Sequence, residues 1–196
     1  MKSFFTQGIA AFLGFTFWGA GMVKLYEGHN FIQWIGPPWL VERLAEFELG
    51  FYAQFIAICQ IVIGFMLLTT RYKLLGGIML VPMILNILMV TISQNWRGTP
   101  YVLVVLLLLN GILLGQYRDY FRPILQEEPM NNSNRKIPGR TWQGHLVWLA
   151  GLGLCLVSIS VSYFQLKFAF LLAAMGLILG ILSLRADRIY SVSKDS

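Results

Sequence analysis

The chain carries few charged residues. Asp, Glu, Lys and Arg make up 12% of its 196 residues, about half of the roughly 25% that soluble domains contain. Apolar residue types make up 57%, and the mean hydropathy is +0.65. This composition argues against a soluble fold. It also argues against a nucleic-acid partner, because the net charge of +6 is then assigned to loops beside anionic lipid headgroups.

Cysteine is scarce as well. The two cysteines, Cys59 and Cys155, each lie inside an apolar run, and the sequence has no CxxC motif. Neither a disulfide framework nor a thioredoxin-like redox pair is indicated. The sequence also has no HExxH motif and no glycine-rich phosphate-binding loop. We therefore predict no metal site, and no cofactor motif is evident.

Six long apolar runs dominate the sequence. They cover residues 5–25, 51–69, 74–91, 101–117, 143–163 and 168–184. A helix of about 20 apolar residues crosses the hydrocarbon core of a bilayer. The runs lack the strict alternation of barrel strands, and lipid offers the backbone no hydrogen-bond partner, so helices are the expected form. The sequence predicts an all-α integral membrane protein with six transmembrane helices.

The basic residues are sorted between the two sides of this arrangement. Lys24, Arg43, Arg97 and Lys167 fall on one side, and the other eleven of the 15 basic residues fall on the opposite side. Basic residues are concentrated on the cytoplasmic side of membrane proteins. The pattern therefore predicts a multi-pass protein of the bacterial inner membrane with both termini in the cytoplasm. His29 and His145 then lie at opposite faces, so they cannot both ligate one haem within this chain.

Polar segments divide the chain into parts. The expected parts are a membrane core at 1–122 with an external connection at 26–50, a cytoplasmic linker at 123–142, a two-helix hairpin at 143–186 and a cytoplasmic tail at 187–196. The linker is predicted from its proline, asparagine and charged residues. Within the external connection, the amphipathic pattern of 39–49 predicts a short helix at the outer interface or an extension of the second span.

Glycines recur along several spans at spacings that favour close helix contacts. Gly8, Gly14, Gly19 and Gly21 are predicted to form a packing face on the first span. Gly176 and Gly180 have the GxxxG spacing. This spacing predicts a helix crossing, either with the fifth span or with a second copy of the chain.

Short motifs follow one another in the first four spans. They are Gly19-Ala20-Gly21-Met22-Val23-Lys24-Leu25 at the end of the first span, Phe31, Gly36 and Pro37 in the next loop, Thr69-Thr70-Arg71 after the second span, and Gly115-Gln116-Tyr117-Arg118-Asp119 after the fourth. In this order, over about residues 5–122, they resemble the DoxX family of small bacterial membrane proteins. The resemblance implies a four-helix membrane bundle, and some members resemble subunits of quinone-linked sulfur oxidation or act with oxidative-stress enzymes. Gln60 stands where the family's second span typically has an acidic residue, and the last two spans lie outside the four-span pattern.

Three polar side chains fall near the middle of the bilayer, namely Gln60, Asn86 and Asn110. Side chains of this kind normally face the bundle interior and form hydrogen bonds across helices. They are therefore expected to be a helix-packing network. The functional alternative is a polar lining for a small molecule such as a quinone headgroup.

A second group of polar residues is predicted near the outer surface. Lys24 ends the first span, Glu46 and Glu48 precede the second, Gln54 lies one turn inside it, and Arg97 links the third and fourth. Ionisable residues at membrane depth are candidates for function. Lys24 is expected either to extend to the lipid headgroups or to pair with Glu46 or Glu48. Such a pair is either structural or part of the mouth of a pocket.

Three functions fit these features. The first is a non-catalytic membrane subunit or scaffold of a larger complex, such as a respiratory or redox complex, with lipids and protein subunits as partners. The second is a quinone-linked oxidoreductase subunit with an outer-leaflet pocket at Lys24, Gln54 and Arg97. The third is a small-solute transporter that uses the Gln60, Asn86 and Asn110 layer. No catalytic residue is assigned, and the chain is not expected to be catalytic alone.

Overall fold

The protein is described here by a computed structural model. It covers residues 2–32, 37–118, 120–121 and 140–194, without the side chains of 2, 3, 186 and 188–194. The helices are α1 Lys2–Leu25, α2 Leu40–Ala45, α3 Gly50–Leu68, α4 Lys73–Ser93, α5 Thr99–Gly115, α6 Trp142–Ser162 and α7 Leu166–Lys194, with one 3-10 turn at Glu27–His29. The all-helical prediction is confirmed for the described residues.

Five of the helices are long and apolar enough to cross a membrane: α1, α3, α4, α6 and the Leu166–Arg185 part of α7. The sixth apolar helix, α5, has 17 residues. At ~1.5 Å per residue it is about 25 Å long, slightly less than the ~30 Å hydrocarbon core. Five of the six predicted spans therefore have the length and composition of a membrane helix, and α5 is the short one.

The helices run between two ends of the bundle. The loop end consists of residues 26–32, 37–49, 94–98 and 163–165. The turn end consists of 69–72, 116–118, 120–121 and 140–141, and α1 begins there, since the Thr6 hydroxyl donates to Gln116 beyond α5. Like its neighbours α1, α3 and α4, helix α5 connects the two ends.

Two glycines bring α1 and α3 into close contact. A Cβ added at Gly14 would lie 2.4 Å from the backbone nitrogen of Leu68, and one added at Gly64 would lie 2.3 Å from that of Trp18. Both distances are far below van der Waals contact, so any larger residue would push the two helices apart. The backbones of α1 and α3 thus pack as closely as small residues permit in membrane proteins.

The four glycines predicted to form one packing face have different surroundings. Gly14 and Gly21 lie against α3, Gly19 lies near the backbone of Ile32, and a Cβ at Gly8 would meet nothing within 4 Å. The packing face predicted on α1 is therefore formed by two of the four glycines.

The C-terminal hairpin, α6 and α7, has its own glycine contact. A Cβ added at Gly176 would lie 2.5 Å from the carbonyl oxygen of Gly151, and one added at Gly180 would lie 2.5 Å from the Phe65 ring of α3. Of the two crossings that the GxxxG spacing allowed, the one with the fifth span is present. Gly180, in turn, lets the hairpin pack against the core.

A buried ion pair fixes this hairpin at the turn end. The Nη1 atom of Arg71 lies 2.6 Å from Asp187 Oδ2 and 3.0 Å from the carbonyl oxygen of Ser183. Arg71 is 1% exposed. Asp187 also accepts hydrogen bonds from the backbone nitrogen of Thr141, at 3.0 Å, and from its hydroxyl, at 2.8 Å. One carboxylate thus joins the 69–72 turn, the start of α6 and the end of α7.

Two further hydrogen bonds join the hairpin to the rest of the bundle. Trp148 Nε1 donates to the Thr69 hydroxyl at 2.9 Å, and the Tyr26 hydroxyl donates to Ser158 at 2.7 Å. The first lies toward the turn end and the second toward the loop end. The hairpin is therefore packed on the core at both ends rather than appended to it.

Part of the predicted division of the chain lies outside the described residues. In the linker predicted at 123–142, residues 123–139 are not described, and α6 already begins at Trp142. In the tail predicted at 187–196, α7 continues as a helix to Lys194.

Candidate functional site

A cavity of about 130 Å³ lies among α1, α3, α4 and α5, toward the loop end. Most of its wall is apolar, including Phe17, Ala20, Leu40, Ile87, Leu103 and Leu106. Polar groups enter it from four places: Lys24 and Thr16 on α1, Gln60 on α3, Thr91 on α4, and Trp96 and Thr99 in and after the 94–98 connection. Such a mixture of an apolar wall and a few convergent polar groups is typical of small-molecule sites.

Lys24 is the charged group of this cavity. It lies in the last turn of α1, and its side chain runs back along the helix, as long helical side chains do. Its Nζ donates to the carbonyl oxygen of Ala20 at 2.7 Å and to Gln60 Oε1 at 3.2 Å. Lys24 is 6% exposed and Gln60 is 3% exposed. The ammonium therefore points into the bundle and does not extend to the headgroups.

The predicted partners of Lys24 lie elsewhere. Glu46 and Glu48 are exposed, and Glu46 pairs with Arg43 instead. Among the described residues no carboxylate forms an ion pair with Lys24. Within the part of the chain that the structure describes, its charge is balanced only by the dipoles of the Ala20 carbonyl and the Gln60 amide.

The cavity offers unused hydrogen-bond donors. An ammonium has three donors, and Lys24 uses two of them within the described residues. The Gln60 amide nitrogen has no partner there. The Thr16 and Thr91 hydroxyls donate to their own helices, at 2.8 Å and 2.9 Å, so the unused donors are those of Lys24 and Gln60. The polar side of the cavity thus suits a ligand with an oxygen acceptor.

The other two residues of the predicted outer group do not line the cavity. Gln54 is exposed on α3, and Arg97 is exposed in the 94–98 connection. Arg97 nevertheless lies in sequence between Trp96 and Thr99, which both line the cavity. It is therefore a cation next in sequence to the cavity wall and not one inside the cavity.

The sequence prediction missed Thr16, which helical spacing could have identified as a cavity residue. Thr16, Ala20 and Lys24 are each four residues apart, so they share one face of α1. Thr91, Trp96 and Thr99 offered no comparable signal, because threonine and tryptophan are common at membrane-helix ends and contacts. Their place in the wall depends on how α4 and α5 pack beside α1.

The three residues predicted near the middle of the bilayer do not form one hydrogen-bonded network. Gln60 bonds to Lys24. Asn86 accepts a hydrogen bond from the Tyr52 hydroxyl across α3 and α4. Asn110, fully buried, donates to the Gly77 carbonyl at 2.9 Å across α4 and α5. Asn86 and Asn110 thus make separate helix-packing contacts, and only Gln60 reaches the cavity.

The fold and the cavity define an all-helical bundle with membrane-length helices and one buried cation in an apolar pocket. No family model, curated protein or solved structure matches the chain. The resemblance of residues 5–122 to the DoxX family therefore depends on the sequence motifs.

Proposed function

We propose that the protein is a DoxX-like membrane protein of the bacterial inner membrane with six spans and both termini in the cytoplasm. The sorting of the basic residues supports this orientation. The short helix α5 supports the sixth span, because it connects the same two ends of the bundle as α1, α3 and α4. If these neighbours cross the bilayer, α5 crosses with them.

Within this class, the protein acts as a membrane subunit of a larger redox complex and binds a small, mainly apolar molecule. The observation that carries this proposal is the cavity with Lys24 and Gln60 at its polar side. A quinone headgroup is one ligand of this kind, because its carbonyl oxygens accept hydrogen bonds and its ring is apolar. Partner subunits supply the redox centre, and the chain contributes the binding site.

The alternatives are less well supported. A transporter would use the mid-membrane layer, but Asn86 and Asn110 are each engaged in separate contacts between helices. A scaffold without a ligand leaves the buried Lys24 and the cavity without a role. Ligand binding by a subunit accounts for both.

The binding part of the proposal is tested in lipid nanodiscs with a short-tail benzoquinone as the probe. The thermal unfolding midpoint of the wild-type protein should rise with probe concentration, because a ligand that binds the folded state stabilises it. Gln60→Leu should weaken the response, since it removes the amide at the cavity. Gln54→Leu, an exposed glutamine on the same helix, is the matched control and should respond like the wild type.

The subunit part is tested by purification in mild detergent. A stoichiometric membrane partner should copurify with the wild-type protein. A chain that is always recovered alone, and that also fails to respond to any small apolar probe with an oxygen acceptor, would refute the proposed function.

A further inference from the structure

The charge of the cavity is not balanced. Four acidic residues lie on two segments of the loop end, 26–32 and 37–49, namely Glu27, Glu42, Glu46 and Glu48. All four are exposed, and none of them lines the cavity. Glu42 lies 2.9 Å from His29, and Glu46 pairs with Arg43. Lys24 is thus a buried cation without a counter-ion among the described residues.

A buried charge without a partner is unfavourable, because it loses its hydration and gains little in return. An anion that enters the cavity would restore the balance. In an apolar surrounding, a hydrogen bond between an ammonium and a carboxylate is considerably stronger than one to a neutral carbonyl. The ligand that gains most from Lys24 therefore carries a negative charge.

The donors of the cavity also match a particular headgroup. A carboxylate has two oxygen atoms and only accepts hydrogen bonds. One oxygen can accept a hydrogen bond from the remaining donor of Lys24. The other can accept one from the Gln60 amide nitrogen, which has no partner among the described residues, because Gln60 lies in contact with Lys24. Arg97, exposed beside the cavity-lining Trp96, adds a second positive charge next in sequence to the cavity wall.

The size of the cavity limits the rest of the ligand. Its volume of about 130 Å³ is roughly ten times the space that one water molecule needs. The remaining wall is apolar, so the body of the ligand is a short hydrocarbon chain or a single ring.

On the basis of the proposed function, we propose that the cavity binds an amphiphilic carboxylic acid in its ionised form, with the carboxylate on Lys24 and Gln60 and the apolar body among α1, α4 and α5. The neutral quinone is then the weaker of the two kinds of ligand. The recognition element is the unpaired ammonium.

Matched probes separate charge from shape. Octanoate and octanamide have the same hydrocarbon body and nearly the same headgroup size, but only octanoate is charged. Both are titrated into the wild-type protein in nanodiscs of zwitterionic lipid, and binding is followed by thermal stabilisation and calorimetry. Octanoate should bind at least about tenfold more tightly than octanamide, as expected for a charge-assisted hydrogen bond.

Variants then assign the difference to Lys24. Lys24→Met should reduce the preference for octanoate to less than about threefold. Arg43→Met, which removes an exposed positive charge from the loop end, should keep the preference. Because Lys24→Met could affect folding, Gln60→Leu provides a second variant and should weaken octanoate by a smaller factor. The comparison of the two probes on the wild-type protein needs no variant at all.

The outcomes distinguish this inference from the proposed function. Equal binding of octanoate and octanamide, or a preference that survives Lys24→Met in a folded protein, overturns the inference. If the short-tail benzoquinone stabilises the protein and octanoate does not, the inference fails and the proposed function stands. If octanoate, octanamide and the short-tail benzoquinone all fail to bind, the binding part of the proposed function fails as well.

Discussion

Replacing Asp187 with alanine should loosen the α6–α7 hairpin from the rest of the bundle. The substitution leaves the Arg71 guanidinium without its carboxylate, although Arg71 is 1% exposed. It also leaves the backbone nitrogen and the hydroxyl of Thr141 without their acceptor. Removing one partner of a buried ion pair costs about 3–5 kcal/mol. The Asp187 side chain is 13% exposed, so we expect the lower end, about 3 kcal/mol.

The free energy of unfolding is measured by denaturant titration in mixed micelles, together with hydrogen exchange of α6 and α7. Arg185→Ala, which changes an exposed residue on the same helix, is the control and should stay within about 0.5 kcal/mol of the wild type. Exchange should increase in the hairpin before it increases in α1 and α3. A loss below about 1 kcal/mol would contradict a buried, hydrogen-bonded pair.

The double variant Arg71→Met with Asp187→Leu gives the sharper test of the reasoning. It removes both charges of this ion pair and leaves no unpaired charge at the turn end of the hairpin. Replacing a buried pair by apolar residues is often close to neutral. The double variant should therefore be more stable than Asp187→Ala alone. If the loss of unfolding free energy in the double variant equals or exceeds the summed losses of Arg71→Met and Asp187→Leu measured singly, the explanation through an unpaired charge is refuted.

The pH dependence follows from the same carboxylate. Burial on its own would raise the pKa of Asp187, but hydrogen bonds from Arg71 and Thr141 and the charge of Arg71 together hold it below its ordinary value of 3.8. A carboxylate whose pKa is lowered in the folded state stabilises the fold. This stabilisation is fully present when the pH is above the ordinary pKa and is lost as the pH falls through the folded-state pKa. The stability difference between wild type and Asp187→Asn should thus be constant from about pH 5 to 8 and shrink only below about pH 4.

Two other substitutions test the packing of the hairpin. Gly176→Leu should disrupt the α6–α7 crossing, because even a Cβ there would lie 2.5 Å from a backbone carbonyl oxygen. Gly153→Leu is the control, because a Cβ at Gly153 would meet nothing within 4 Å. Comparable unfolding midpoints for the two variants would contradict the close crossing. Trp148→Phe should lower the free energy of unfolding by about 1 kcal/mol, because it removes the hydrogen bond to the buried Thr69 hydroxyl. Trp142→Phe, at a tryptophan that is 75% exposed, should change it little, and an equal loss would argue against that hydrogen bond.

The cavity was only partly predictable from the sequence. The sequence identifies Lys24 as the charged residue that ends the first apolar run and Gln60 as an amide near mid-bilayer depth. Their contact was not predicted, since it requires α1 and α3 to pack antiparallel at the register that Gly14 and Gly64 set. The sequence predicts Glu46 and Glu48 as partners because they lie at a depth similar to that of Lys24. It does not show in which direction their side chains point, and both are exposed.

The ion pair of the hairpin was beyond sequence reasoning for a different reason. Arg71 and Asp187 are 116 positions apart. Each is a common type of residue at a polar boundary of a membrane helix, so neither stands out. Helix periods and hydropathy determine local structure, but the choice of one carboxylate for one guanidinium depends on how α7 crosses the 69–72 turn.

The sorting of the basic residues has two physical origins that the sequence alone does not separate. Orientation depends on where positive charge is retained during insertion, and the folded bundle then uses some of the same charges. Arg71 is buried against Asp187, and Arg140 stacks over the Tyr72 ring at 4.8 Å and donates to the Arg71 carbonyl oxygen. Both were counted on the basic side, yet both also hold helices together. A substitution at Arg71 therefore alters both the predicted charge sorting and the stability of the bundle, whereas one at the exposed Arg185 alters the sorting alone. Only exposed basic residues such as Arg185 measure what the charge sorting contributes to topology.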